Sequence, residues 1–76
     1  MNDPILSIDN IGTKRWKLPN GKYHRLDGPA IEWADGEHWW FINGIDYSFK
    51  EYLNEVKSLI SDEAYFILVL TYGDTQ

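Results

Sequence analysis

Few side chains in this sequence could do chemistry. His24, Asp27 and His38 are the only grouping that suggests a metal site. Zinc takes about four closely arranged N, O or S ligands. The chain has no cysteine, His24 falls in a basic stretch and His38 in an acidic one, and no HxH, HExxH or EF-hand spacing occurs. No metal and no other cofactor is expected. Ser48 and Ser61 each precede a helical pattern and read as caps, and no serine sits in an elbow-turn context. The glycines are spaced for hairpins and not for cradling phosphate. Asp27, ahead of Gly28-Pro29, suits an acceptor for turn N–H groups or for Arg25. No catalytic residues are expected, and the chain does not read as an enzyme.

Recognition chemistry is left, and its material is aromatic and charged. The stretch NGKYHRLDGPAIEWADGEHWWFING, residues 20–44, holds Trp33, Trp39 and Trp40. Charge is segregated. Lys14, Arg15, Lys17, Lys22 and Arg25 fall in 14–25 without an acid, and Asp27, Glu32, Asp35, Glu37 and Asp46 fall in 26–49 without Lys or Arg. Opposite charges on neighbouring strands would produce this pattern, and so would a basic patch for an anionic ligand. The net charge of −5 argues against binding nucleic-acid backbones.

The elements that position these residues follow from turn signals and periodicity. Seventy-six residues make a single domain, 1–76, near the lower limit for one hydrophobic core. With no disulfide to help, large rings are an economical source of buried area. Asn20-Gly21, Asp27-Gly28, Asp35-Gly36 and Asn43-Gly44 alternate with short Trp-, Tyr- and Ile-bearing runs. That reads as a hairpin meander over 13–47, with Ile5-Leu-Ser-Ile8 as an edge strand. Two-residue loops at Asp35-Gly36 and Asn43-Gly44 would set Trp33 opposite His38, with the two rings stacked, and Trp40 opposite Tyr47. Ile31, Trp33, His38, Trp40, Ile42, Ile45 and Tyr47 would then share the core face. Ala30, Glu32, Ala34, Glu37, Trp39, Phe41 and Asp46 would share the other.

After Tyr47 the apolar period changes. Phe49, Tyr52, Leu53, Val56, Leu59 and Ile60 form one stripe, behind a Ser48–Glu51 capping box, and predict an amphipathic helix over 48–60. Residues 62–72 are apolar on every side. Ser61-Asp62-Glu63 and Gly73, a candidate left-handed cap, favour a helix; the Tyr, Phe, Ile, Val and Thr content favours a strand. Either form would need burial on both sides, inside the core or at a homodimer or partner interface. The expected class is α+β: an antiparallel meander packed on a C-terminal amphipathic helix and a final short helix or strand. No basic leader with a long apolar run opens the chain, and Ala64 to Leu70 is too short to span a bilayer. No membrane association and a cytoplasmic location are expected.

His24-Arg-Leu-Asp-Gly-Pro-Ala30, followed by Trp33-Ala-Asp-Gly36 and Trp40-Phe-Ile-Asn43-Gly44, resembles the small MORN-variant-like proteins of tailed bacteriophages and large viruses. Their repeat is similar to W-x-x-x-G-x-x-H-R-x-D-G-P-A, and the likeness covers residues 16–47. The Ser-capped helix, Asp-Glu start and closing Tyr-Gly look like single-unit phage members. A second HRxDGPA copy is absent, which sets the chain apart from stackable arrays. The resemblance implies hairpin architecture, viral origin and no shared catalytic residues.

Two functions follow as expectations. In the first, Trp39 and Phe41 anchor a host protein, of which an antiviral-defence component is one class, within an acidic rim of Glu32, Glu37 and Asp46. In the second, Lys14, Arg15, Trp16, Lys17, Lys22, Tyr23, His24 and Arg25 hold an anionic nucleotide-type ligand by stacking and charge.

Overall fold

The computed structural model describes residues 3–73, so both ends of the expected 1–76 domain lie outside the described residues. Five antiparallel strands form one sheet in chain order: β1 (Ile5–Ile8), β2 (Lys14–Lys17), β3 (Ile31–Glu32), β4 (His38–Ile42) and β5 (Ile45–Tyr47). Two helices, α1 (Phe49–Val56) and α2 (Asp62–Tyr72), complete an α+β fold. The smallest dimension is 19 Å, room for one sheet and one helical layer. Among the described residues, one face of the sheet therefore carries no helix.

The core lies between β4 and the helices. Trp40, Ile42, Tyr52, Val56 and Leu68 are buried there, with Leu26, Tyr47, Phe49, Leu53, Ile60, Tyr65 and Tyr72 packed around them. The Trp40 ring contacts Phe49 and Tyr52 at 4.7 Å and Tyr72 at 5.2 Å. Helix α1 starts as expected: the Ser48 hydroxyl accepts from Glu51 N–H, and the Glu51 carboxylate accepts from Ser48 N–H. It ends at Val56, short of the expected Ile60. Residues 57–60 turn back so that Ser61 can cap α2, which leaves Leu59 exposed instead of on the stripe.

The last segment is a helix. Only its Leu68 is buried; Phe66, Ile67 and Leu70 are exposed, so the expected burial on both sides does not occur within one chain. Gly73 has φ −60° and ends α2 without the left-handed cap.

The hairpins follow two rules. Asn43 and Gly44 both have positive φ, 51° and 82°, and form the expected two-residue turn, pairing Trp40 with Tyr47 and Ile42 with Ile45. At Asp35-Gly36 the loop has three residues. Gly36 N–H donates to Trp33 C=O, Trp33 N–H donates to Glu37 C=O, and only Gly36 takes positive φ, 96°. That geometry is a type I turn closed by a left-handed glycine. It slips β3 by one residue: Ile31 pairs with Trp39, and Glu32 with His38. Paired residues share a face. Ile31 and Trp33 therefore lie on the helix-free side, and Glu32 on the helix side, the reverse of the expected assignment.

Candidate functional site

The slip redraws the proposed anchor surface without removing it. Trp39, Phe41, Glu37 and Asp46 stay on the helix-free face, as the β4–β5 register requires. Trp39 is 47 % exposed and Phe41 half-buried. Trp33 joins them, its ring edge-on to Trp39 at 5.0 Å. Tyr23 meets Phe41 at 5.2 Å. Ile31, at 2 % exposure, forms the floor of this second apolar layer. Trp39 is further held by an indole N–H donated to the Glu37 carboxylate at 3.4 Å. Where β5 ends, a cleft of about 220 Å³ opens between His38, Trp39, Trp40, Phe41, Asp46 and Tyr47. Glu32 leaves the expected rim, because it faces the helices and bonds to Arg25. His38 is not stacked on Trp33; its ring lies 5.3 Å from Tyr72 and 6.2 Å from Trp40.

The HRLDGPA segment explains where Glu32 went. Asp27-Gly28 is not a hairpin turn. Trp16 C=O accepts from His24 N–H at 3.0 Å, while Trp16 N–H donates to Ala30 C=O at 2.8 Å. His24 and Ala30 thus occupy the same position beside β2, and residues 25–29 loop out of the sheet toward the helices. On the other side Arg25 N–H donates to Phe41 C=O, and Gly44 N–H to Tyr23 C=O, so the departing chain fills the gap left by the short β3.

Two side chains hold the loop. The Tyr52 hydroxyl of α1, with Tyr52 0 % exposed, shares its one proton between Arg25 C=O at 2.6 Å and Gly28 C=O at 2.9 Å, and accepts from Gly28 N–H at 3.3 Å. Burial pushes its ionisation well above the ordinary tyrosine range. The Arg25 guanidinium curls back to donate to Asp27 and Glu32 carboxylates, at 2.9 and 3.0 Å, and to Pro29 C=O at 3.1 Å. It also covers the Trp16 ring at 3.7 Å. A Cβ on Gly28 would stand 2.7 Å from Arg25 Cζ, so only glycine leaves the guanidinium its place.

The basic stretch is therefore not gathered into one anion site. Arg25 is spent on the loop. Arg15 donates to Asp9 at 2.9 Å, a bond that holds the Asp9 carboxyl below its usual range, and lies 5.5 Å from the Trp33 ring. Lys17 lies over Tyr23 at 5.4 Å. His24 Nδ1 accepts from Asn43 N–H at 3.0 Å, and Lys22 packs along Gly44. Lys14 and Trp16 face the helix side, while Arg15 and Lys17 face the other. Among the described residues no group of three His, Asp or Glu side chains comes together to hold a metal ion, and no helix is long and apolar enough to cross a membrane.

The roles of Tyr52 and Glu32 were missed from sequence. Tyr52 sat correctly on the helix stripe, but nothing local distinguishes a tyrosine that packs from one whose hydroxyl closes a loop. Comparison with protein-family models, curated proteins and solved structures finds no match for this chain.

Proposed function

We propose that this chain is a small viral accessory protein of the MORN-variant-like kind that binds a host protein, within the host cytoplasm, and inhibits or redirects it. Docking uses the helix-free face, with Trp39 as anchor, Phe41 and Trp33 beside it, and Glu37 and Asp46 at the rim. A component of antiviral defence is the partner class this reading favours. The observation that carries it is Trp39: a half-exposed indole, pinned by Trp33 and Glu37, next to a cleft large enough for one partner side chain. A rigid aromatic loses little conformational freedom on binding, which is why such rings dominate interfaces. The anionic-ligand reading has less support, since both arginines of the basic stretch already serve acids of the same chain.

The test pairs wild-type protein and Trp39→Ala as baits in bacterial lysate, with mass spectrometry of what each retains. A host protein held by the wild type and lost from the variant, with retention persisting at raised salt, is the expected result. Identical retention by both baits refutes the docking face. A co-purifying nucleotide whose binding falls steeply with ionic strength would support the basic stretch instead.

A further inference from the structure

The two edges of the sheet are built differently. β5 is three residues long, carries Asp46 and runs directly into the Ser48 cap, which keeps its open side short and charged. β1 has no such protection. Ile5-Leu6-Ser7-Ile8 contains no charge, proline or glycine, and Ile5, Leu6 and Ile8 are 64, 44 and 57 % exposed.

The hydrogen-bonding phase of that edge follows from its neighbour. Trp16 directs its N–H and C=O toward Ala30 and His24, away from β1. Arg15 and Lys17 therefore direct theirs toward β1, where they pair with Ser7 and Ile5. Leu6 and Ile8 are left with N–H and C=O groups pointing outward.

We propose that a second copy of this chain pairs antiparallel with β1 about a two-fold axis at Ser7, Leu6 facing the partner's Ile8 and Ile8 the partner's Leu6. In this register every outward N–H meets an outward C=O. A slide of two residues, Leu6 against the partner's Leu6, leaves the Ile8 groups open. The two sheets continue as one with their helices on the same side, and Leu6 and Ile8 of both copies form one apolar strip. Ile5, Leu6, Ile8 and the 71 %-exposed Ile11 offer roughly 400 Å² per copy, about half of the ~800 Å² each partner brings to a standard interface. The contact therefore falls well short of a standard interface, and the dimer is a weak one. A charge of −5 on each copy opposes it, and salt strengthens it.

Sedimentation equilibrium across a concentration series, at low and high salt, reads this directly. The wild type is expected to approach twice the 8.9 kDa of one chain as concentration rises, more readily at high salt. Ile8→Pro deletes an outward donor without touching the β2 ladder, a position an edge strand tolerates, and Leu6→Lys charges the edge. Each is expected to weaken association by roughly tenfold or more while circular dichroism stays native. Leu70→Lys, on the exposed stripe of α2, is expected to leave it unchanged. A wild type that stays monomeric to millimolar concentration overturns the proposal. So does a dimer that survives Leu6→Lys, or one that Leu70→Lys alone dissociates, which would place the contact on α2.

Discussion

Tyr52→Phe removes one oxygen from the interior and tests whether the HRLDGPA loop depends on it. The substitution leaves the ring in the core against Trp40, so the apolar burial is nearly unchanged. Three buried or part-buried backbone groups lose their partner: Arg25 C=O, Gly28 C=O and Gly28 N–H. A buried polar group left unpaired costs about 1–3 kcal/mol. The three groups share one hydroxyl and can relax together, so a loss of about 2–4 kcal/mol is expected, and not three full penalties. For a domain this small each kcal/mol moves Tm by about 4–8 °C, which predicts a fall of roughly 8–32 °C. Urea unfolding followed by tryptophan fluorescence gives the measurement, with the midpoint lowered and the slope m unchanged. A loss below about 0.5 kcal/mol, within the range of an ordinary surface substitution, would refute the claim that this hydroxyl closes the loop.

Gly28→Ala is expected to displace the Arg25 guanidinium, lowering stability by about 1–3 kcal/mol; in an Arg25→Ala background the same substitution should cost much less, a non-additivity of urea midpoints that checks that the clash is with that side chain. Partial burial holds His24 below its ordinary value of 6.5, and its neutral Nδ1 accepts from Asn43 N–H. The unfolded chain therefore binds the proton first. Stability is complete above pH 6.5 and falls as pH drops through that value toward the lower folded pKa, a slope that His24→Gln should flatten in denaturant titrations at stepped pH. Tyr52 and Tyr72 are both shifted upward by burial, so stability is lost as pH rises above 10, where the unfolded chain ionises first. Ultraviolet difference spectra should show some tyrosinate appearing only with unfolding. Trp39→Ala, at a half-exposed ring, is expected to cost about 1 kcal/mol or less while abolishing host-protein retention, a split visible by comparing thermal melts with pull-downs.

The strongly periodic parts of this fold were legible in the sequence. The Ser48 box, the Phe49-Tyr52-Leu53-Val56 stripe and the Asn43-Gly44 turn depend on neighbours within a few residues, and all three form as read. Asp35-Gly36 did not, because an Asp-Gly pair fits a two-residue turn and also the last two places of a three-residue loop. What decides between them is remote. The position of Ala30 is set by Trp16 N–H, and Glu32 must reach Arg25 on the helix side. No local pattern encodes either constraint. Asp27-Gly28 misled for the same reason: the pair belongs to a loop whose partner, Tyr52, is twenty-four residues away in sequence. Of the candidate site, Trp39 and Phe41 were placed correctly because the Asn43-Gly44 register alone orients β4. Glu32 was misplaced because it depended on the other turn.

The distribution of polar work in this chain separates structure from function. The distinctive HRLDGPA residues look like chemistry in sequence, a histidine, an arginine and an aspartate within four positions, yet each is occupied. His24 holds a turn, Arg25 holds the loop and Trp16, and Asp27 answers Arg25. Their side chains are already engaged within the chain, Arg25 most of all, which makes them poor places to look for binding energy. Among the described residues, large apolar groups left in water include the Trp39 ring, the β1 edge and the outer stripe of α2. A small domain without disulfides gains stability by burying such groups, so leaving them in water is a net loss for the isolated chain. That loss is recovered only in contact with another surface, and the three features lie on different elements. A host protein on the helix-free face and a second copy along β1 can therefore be engaged at once, and Trp39→Ala and Leu6→Lys should disable them independently.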